Sequence, residues 1–575
     1  MDASIGPGPT AAAVAPSSVV RSPISSRRTM SSSPPRFARA SLLQGVVVLG
    51  VLLLVVAWAG ATLQFPFGID NGIHAYQGWV LRAGGRPYVD VFDSRGPFVM
   101  YGYGLAQALF GQNTWGVRLL DLAVLALGVV PLARAVAALE GRIAGVFCGV
   151  LAALWWASSS PGSLAQPDGW AGMLFAGALA PLLRRRTAGD PPMRRWLALA
   201  GGVIGLCTFS KPFYAALIVP VLVAIGSDRA RDHKARLSDL MAVALAGLGV
   251  GVAVLGVMWL AGVLRAFVEA YLVFNVKVYA GEAQAGWGPR VGSLLRYVGS
   301  DPTIGYGIVL AGAGAWIGSR DPHADVRRAT HVGIAWTLCT IGFVLLQGRF
   351  WRQHWLPTIP PLALLTTLGV SGLRRRLAVG ERARAGAGGI AALLPLVLAL
   401  ALLVVAARTP AIYTLRGARA LRDGATREAL WDYHTGYRQG SASSFRAEHE
   451  AARYIAARTS AQDGVLVWGY AASVPYLAQR RIPGRFIYPY PLLAGAGTSL
   501  QPRFRAEFLH ALGQRPPCYV VFDVGDPVVR AVAVPQFPTF DAWLRANYRE
   551  EVRIERFALL RAATAGCHVL QHPAS

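Results

Sequence analysis

Asp70, Asp90, Asp93 and Arg95 fall in one polar stretch between the first two long apolar runs. It reads Gly68-Ile69-Asp70-Asn71-Gly72, then Gly84-Gly85-Arg86-Pro87-Tyr88-Val89-Asp90-Val91-Phe92-Asp93-Ser94-Arg95-Gly96-Pro97. A plain connector between membrane spans has no use for three carboxylates and a cation, because each must be solvated or paired at the bilayer boundary. A carboxylate placed there can take a proton from a hydroxyl, and a cation can hold a departing phosphate. Asp70 is the candidate base. Its alternative role is the N-cap of a helix over 72–82, a position that Asp favours. Asp90, Asp93 and Arg95 serve either a substrate or the mutual pairing that holds the loop, with Tyr88 fixed behind Pro87.

Further along, Asp168 follows Pro167 at the mouth of an apolar run and suits either an N-cap or a catalytic or metal-supporting carboxylate. Lys211 stands between two apolar runs with Pro212 opening the next helix, where a lysine either snorkels or meets a phosphate. Arg349, Arg352 and His354 form a second cationic group that is either solvated or meets a phosphate. Lys277, with Tyr271, Asn275, Tyr279 and Trp287, is placed to line an acceptor cleft. If a divalent metal is used, Asp70 and Asp168 are the residues to hold it; no cofactor is otherwise indicated.

The elements that must position these residues are membrane helices. The chain has 575 residues, 54% of them hydrophobic and 15% charged, which marks a multi-pass membrane protein. The net charge of +26 sits in short gaps between apolar runs, as an orienting signal does, and this placement excludes nucleic acid as a partner. Five scattered cysteines without a CxxC pair exclude a zinc ribbon or a redox motif.

Residues 1–40 read as a disordered cytoplasmic tail rich in Ser, Pro and Ala, and 41–407 as the membrane domain, opening with a span over Leu42–Leu63. Further spans fall near 116–137, 143–158, 169–183, 196–210, 212–226, 240–264, 303–318, 330–346, 355–373 and 386–407, about eleven in all. If Phe98–Phe110 crossed the membrane, Arg184–Arg186, Arg229/Arg231/Lys234/Arg236 and Arg374–Arg376 would fall outside. If it does not cross, these clusters are cytoplasmic together with Arg194/Arg195 and Arg327/Arg328. The second arrangement is expected. It puts the loop 64–115, Asp168, Lys211, the loop 265–302 and the turn 347–354 on one extracytoplasmic face, with the C-terminal domain.

Residues 408–575 have the composition of a small α/β domain: a helix over Glu448–Arg458, a strand over Val465–Gly469, a helix over Phe504–Leu512, a strand over Cys518–Asp523, then a helix over Phe540–Asn547 and a strand over Val552–Leu560. Cys518 and Cys567 fall in this oxidising compartment and are able to pair. The predicted fold class is thus a multi-pass α-helical membrane protein with a C-terminal extracytoplasmic α/β domain.

The polar loop resembles the first extracytoplasmic loop of the GT-C superfamily of polyprenyl-phosphate-sugar-dependent glycosyltransferases. It is most similar to the bacterial relatives of the protein O-mannosyltransferases and the aminoarabinose lipid A transferases. The resemblance rests on Asp70-Asn71-Gly72 and on Pro87 to Pro97, and continues through Asp168, Gly205 to Pro212 and His354 to Leu362. Asn71 replaces the second acid of the family's Asp-Glu form, and Arg95 stands where Lys is commoner. The resemblance implies an inverting transferase in the inner membrane that passes one sugar, hexosyl or pentosyl, from a polyprenyl-phosphate donor to an envelope glycan, lipid or protein. The alternatives are a transporter or flippase of lipid-linked sugars and a non-catalytic envelope assembly protein. A transporter calls for ionisable groups at mid-bilayer depth and repeated broken helices, neither of which the sequence displays.

Overall fold

Proline and small residues set where the apolar runs start and how closely they pack. The computed structural model describes residues 49–50, 53–184, 193–227, 232–280, 286–383, 394–424, 426, 430–431, 444–525 and 537–563. The N-terminal tail, Arg185, Arg186, Arg229, Arg231 and Cys567 lie outside the described residues. The helices are α1 Leu53–Thr62, α2 Ile69–Arg82, α3 Pro97–Phe110, α4 Trp115–Glu140, α5 Arg142–Ala157, α6 Pro167–Leu183, α7 Met193–Thr208, α8 Ile218–Gly226, α9 His233–Leu260, α10 Trp287–Ser300, α11 Pro302–Ser319, α12 Ala324–Gln347, α13 Ile359–Ala383 and α14 Leu394–Arg422. Helices α3, α6 and α11 each open on proline, where the missing N–H costs nothing. Close approach depends on glycine: a Cβ on Gly201 of α7 would lie 2.2 Å from the Val243 carbonyl oxygen of α9, and one on Gly314 of α11 would lie 1.9 Å from that of Leu365 in α13.

Among the described residues, five helical stretches are long and apolar enough to cross a membrane: Trp115–Glu140, His233–Leu260, Ala324–Gln347, Arg352–Leu377 and Val397–Arg422. The expected count of eleven is therefore not matched by eleven long helices. The intervening runs form shorter helices that pack inside the bundle, as in α6, where only three of seventeen residues are not buried. Backbone within a bundle has its partners in neighbouring helices, so such segments need not reach across the whole hydrocarbon layer alone.

Contacts sort the polar residues to two ends of the bundle. At one end Arg375 pairs with Glu140, the last residue of α4, and with Asp321, just past α11. Arg328 of α12 donates to the Arg184 carbonyl after α6 at 3.1 Å. At the opposite ends of these same helices lie Asp168, Asp301 and Gln347. The basic clusters thus share one end, and the candidate site residues share the other.

The loops expected at 64–115 and 265–302 are largely helical. The first contains α2 and α3; the second runs through π-helical turns at Val268–Val273 and Asn275–Tyr279 into α10. Their apolar residues are spent on packing: Tyr88 stacks edge-on against Phe267, and Phe92 against Phe274. With fourteen residues, α3 is about 21 Å long against a hydrocarbon core of about 30 Å. Both of its flanks touch the C-terminal domain: the Phe92 N–H donates to the Arg485 carbonyl at 2.7 Å, and Gln479 donates to Gln112 at 2.6 Å. Cysteines introduced at Ser94 and Gln112 are therefore expected to react with an impermeant thiol reagent from the same side. Labelling from opposite sides would sink the shared-face arrangement.

The C-terminal domain adds helices α15 Phe445–Ala456, α16 Ser473–Ala478, α17 Leu500–Gln514 and α18 Pro538–Asn547 to a four-stranded sheet of order β1-β2-β4-β3. Strand β1, Val465–Trp468, runs parallel to β2, Tyr519–Asp523, with Val465 opposite Tyr519. The crossover helix α17 buries Phe504, Phe508 and Leu512. The single strand expected over 552–560 is instead a hairpin, β3 Tyr548–Ile554 and β4 Phe557–Ala562. Glu555 turns the chain with φ 49°, a conformation that ends a strand. Cys518 is disulfide-bonded.

Candidate active site

Asp70 occupies the first turn of α2, whose N-cap is Gly68. The capping role considered for Asp70 belongs to its neighbour: Asn71 Oδ1 accepts the Gly68 N–H at 2.9 Å. The Asn71 amide also donates to the Tyr103 hydroxyl at 2.8 Å and to the Leu164 carbonyl at 3.0 Å, and Tyr103 donates to the Ala165 carbonyl at 2.9 Å. One side chain thereby ties the start of Asp70's helix to the segment that leads into Asp168's helix. Asp70 is left to meet Arg95 Nη2 at 3.0 Å and Gln353 Nε2 at 3.4 Å. Burial opposes ionisation of Asp70, but the Arg95 guanidinium outweighs it and holds the carboxyl below its ordinary value.

Arg95 is supported from behind. His74 Nε2 lies 3.2 Å from Arg95 Nη1, and Asp93 Oδ1 accepts the Arg95 backbone N–H at 3.0 Å. Gln77 donates to Asp93 Oδ2 at 2.8 Å. The rest of the loop closes on itself: Tyr88, at φ 64°, donates its hydroxyl to the Arg95 carbonyl at 3.0 Å, and Asp90 accepts the Arg86 N–H at 2.6 Å. Of the mutual pairing considered for Asp90, Asp93 and Arg95, the contacts join Asp93 to Arg95, while Asp90 turns to Arg86.

Asp168 lies in the first turn of α6, after Gln166 as N-cap, so it too is not the cap. Lys211 Nζ meets its two oxygens at 2.9 and 2.8 Å and donates to Gln347 Oε1 at 2.7 Å; the Tyr214 hydroxyl adds 2.6 Å to Asp168. Lys211 is therefore an internal counter-ion rather than a snorkelling side chain. Lys211 also feels the charges of Asp70 and Arg95.

The second cationic group divides. Arg352 pairs with Asp301 and donates to the Ser158 hydroxyl at 3.0 Å, clasping the ends of α5 and α11. His354 is buried with Nδ1 on the Arg349 carbonyl. The Arg349 guanidinium lies over the rings of Tyr279 and Tyr490 at 5.2 and 5.8 Å. Lys277 is exposed and makes no ion pair among the described residues. Asn275 donates to the Ser94 carbonyl at 2.5 Å, which pins the π-helical segment against the Arg95 loop. His74, Gln77, Tyr214, Gln347 and Gln353 were not anticipated. The first two carried a signal, since positions four and seven beyond Asp70 share its helix face.

Asp70 and Asp168, the pair expected to hold a divalent metal if one is used, both have protein partners in this structure. Their oxygens are already met by Arg95, Gln353, Lys211 and Tyr214, and two cations neutralise the pair. Among the described residues no three His, Cys, Asp or Glu side chains are grouped to hold a metal.

The family model for dolichyl-phosphate-mannose-protein mannosyltransferase matches residues 94–259, a span that contains Arg95, Asp168 and Lys211. Among solved structures, the chain is similar to ArnT from Cupriavidus metallidurans bound to undecaprenyl phosphate, with a TM-score of 0.55 and 17% identity over 91% of this chain and 98% of that one. The apo state of the same protein gives a TM-score of 0.53 at 17% identity over 90% and 98%. No curated protein sequence matches. The chain shares the fold of ArnT, and the mannosyltransferase family match over residues 94–259 agrees with the resemblance read from the loop motifs. Five long apolar helices and this fold describe a multi-pass membrane protein.

Proposed function

We propose that this protein is an inverting membrane glycosyltransferase. It takes one sugar from a polyprenyl-phosphate donor on the extracytoplasmic face of the inner membrane and passes it to a hydroxyl of an envelope glycan, lipid or protein. The observation that carries this reading is the pairing of a half-buried and a buried carboxylate with two cations at a single end of the bundle, Asp70 with Arg95 and Asp168 with Lys211. Asp70 takes the proton of the acceptor hydroxyl as the oxygen attacks the sugar carbon, and the phosphate leaves on the opposite face of that carbon with its electron pair. Arg95, Lys211 and Arg349 supply cations for that phosphate. The undecaprenyl phosphate bound to ArnT supports a donor of this lipid class. Orientation follows from the positive-inside rule: the end bearing Arg184, Arg328 and Arg375 is cytoplasmic with the N-terminus, and the C-terminal domain lies outside.

The test is reconstitution in proteoliposomes with a panel of undecaprenyl-phosphate sugars and envelope lipids, read by mass spectrometry. The expected product carries one added sugar with inverted anomeric configuration, and a chelator leaves the rate unchanged. No transfer with any donor, together with build-up of an intact lipid-linked sugar in a deletion strain, would replace this reading with the transporter.

A further inference from the structure

We propose that His74 is a positioning residue: as a neutral imidazole protonated on Nδ1, it holds the Arg95 guanidinium from behind and so keeps it aimed at Asp70. The assignment follows from donor and acceptor counting along a closed chain of contacts. A guanidinium has only donors, so the His74 Nε2 that faces Arg95 Nη1 at 3.2 Å must offer its lone pair. Gln77 Nε2 is committed to Asp93 Oδ2 at 2.8 Å, which leaves Gln77 Oε1 as the group 3.0 Å from His74 Nδ1, and an amide oxygen requires a donor. The ring proton therefore sits on Nδ1. His74, Gln77 and Asp93 are all 0% exposed, so no solvent relaxes these roles.

A second proton, on Nε2, would set one N–H against another across the same short gap. The charged groups around the ring do not compensate for it. Asp93 Oδ2 is 3.9 Å from Nδ1 and already accepts from Gln77, Asp93 Oδ1 is held by the Arg95 backbone, and Asp70 on the same helix is turned to Arg95. From α3 the ring meets Tyr103, centroid to centroid at 5.5 Å. Burial first, and the Arg95 charge second, hold the imidazole below its usual value. His74 thus acts through Arg95 and makes no demand on the substrate.

This inference rests on the proposed glycosyl transfer for its catalytic consequence, but its first test does not. In nanodisc-embedded protein labelled with 15N-histidine, the His74 signals, identified by their loss in His74→Gln, are expected to show the neutral Nδ1–H pattern at about pH 6, below the ordinary imidazole value of about 6.5. In Arg95→Met the same ring is expected to titrate. An Nε2–H pattern, or a charged ring at about pH 6 in the wild type, overturns the proposal.

The second test is a double-mutant cycle on transfer from an undecaprenyl-phosphate sugar. His74→Phe, which keeps the volume and removes the acceptor, is expected to lower kcat about tenfold; His74→Gln, which keeps an acceptor, stays within about threefold; and His74→Phe adds no loss in the Arg95→Met background. Additive losses in that background overturn the positioning role. Absence of any turnover in the wild type refutes the transferase reading instead, and the nitrogen spectrum then decides His74 alone.

Discussion

Asp70→Asn is expected to abolish sugar transfer while the protein remains folded. Asn keeps the shape of the side chain and an oxygen for Arg95 Nη2, now 3.0 Å from Asp70 Oδ1, but it cannot take a proton near neutral pH. The helix start is not at stake, because Gly68 is the N-cap and Asn71 closes the first turn. Loss of general-base assistance typically costs about 10²–10⁴ in rate. The carboxyl lies below its ordinary value when paired with Arg95, so it is ionised throughout the neutral range and poorly basic until that pairing is relaxed. Arrival of a phosphate beside Arg95 would relax it. Turnover and melting temperature of the purified variant are the measurements. Wild-type turnover would make Asp70 structural and end the proposed mechanism.

Lys211→Met is expected to cost stability as well as activity. The ammonium meets both oxygens of Asp168, whose side chain is 3% exposed, and without it that carboxylate keeps only the Tyr214 hydroxyl. Removing one partner of a buried pair leaves an uncompensated charge and typically costs about 3–5 kcal/mol. Adding Asp168→Asn to Lys211→Met is expected to restore most of the lost thermal stability, since an amide needs no counter-ion, and to leave transfer abolished. Thermal unfolding in detergent separates the two contributions. A Lys211→Met protein that melts like the wild type would mean that Asp168 is not ionised in the folded state, and the pair would need a different charge assignment.

Much of this architecture follows from local pattern. The apolar runs became helices close to where hydropathy places them, as in α4 and α12, and Val465 to Trp468 became a buried strand because four consecutive apolar residues end on glycine. The candidate site residues were also legible, since charge among apolar spans needs a reason. Asp70 pairs with Arg95, and Asp168 pairs with Lys211. Local pattern failed where partners are distant in the chain. It left the helix after Asp70 as one of two alternatives, because α2 is held chiefly by packing against α3 and against α16 of the C-terminal domain. Nor did it reveal that Lys211 serves Asp168, 43 positions away, and Gln347, 136 away. Residue types alone mark which groups are too costly to bury without a partner. Which of them are paired depends on where helix ends meet, and that is set by glycine contacts between helices far apart along the chain.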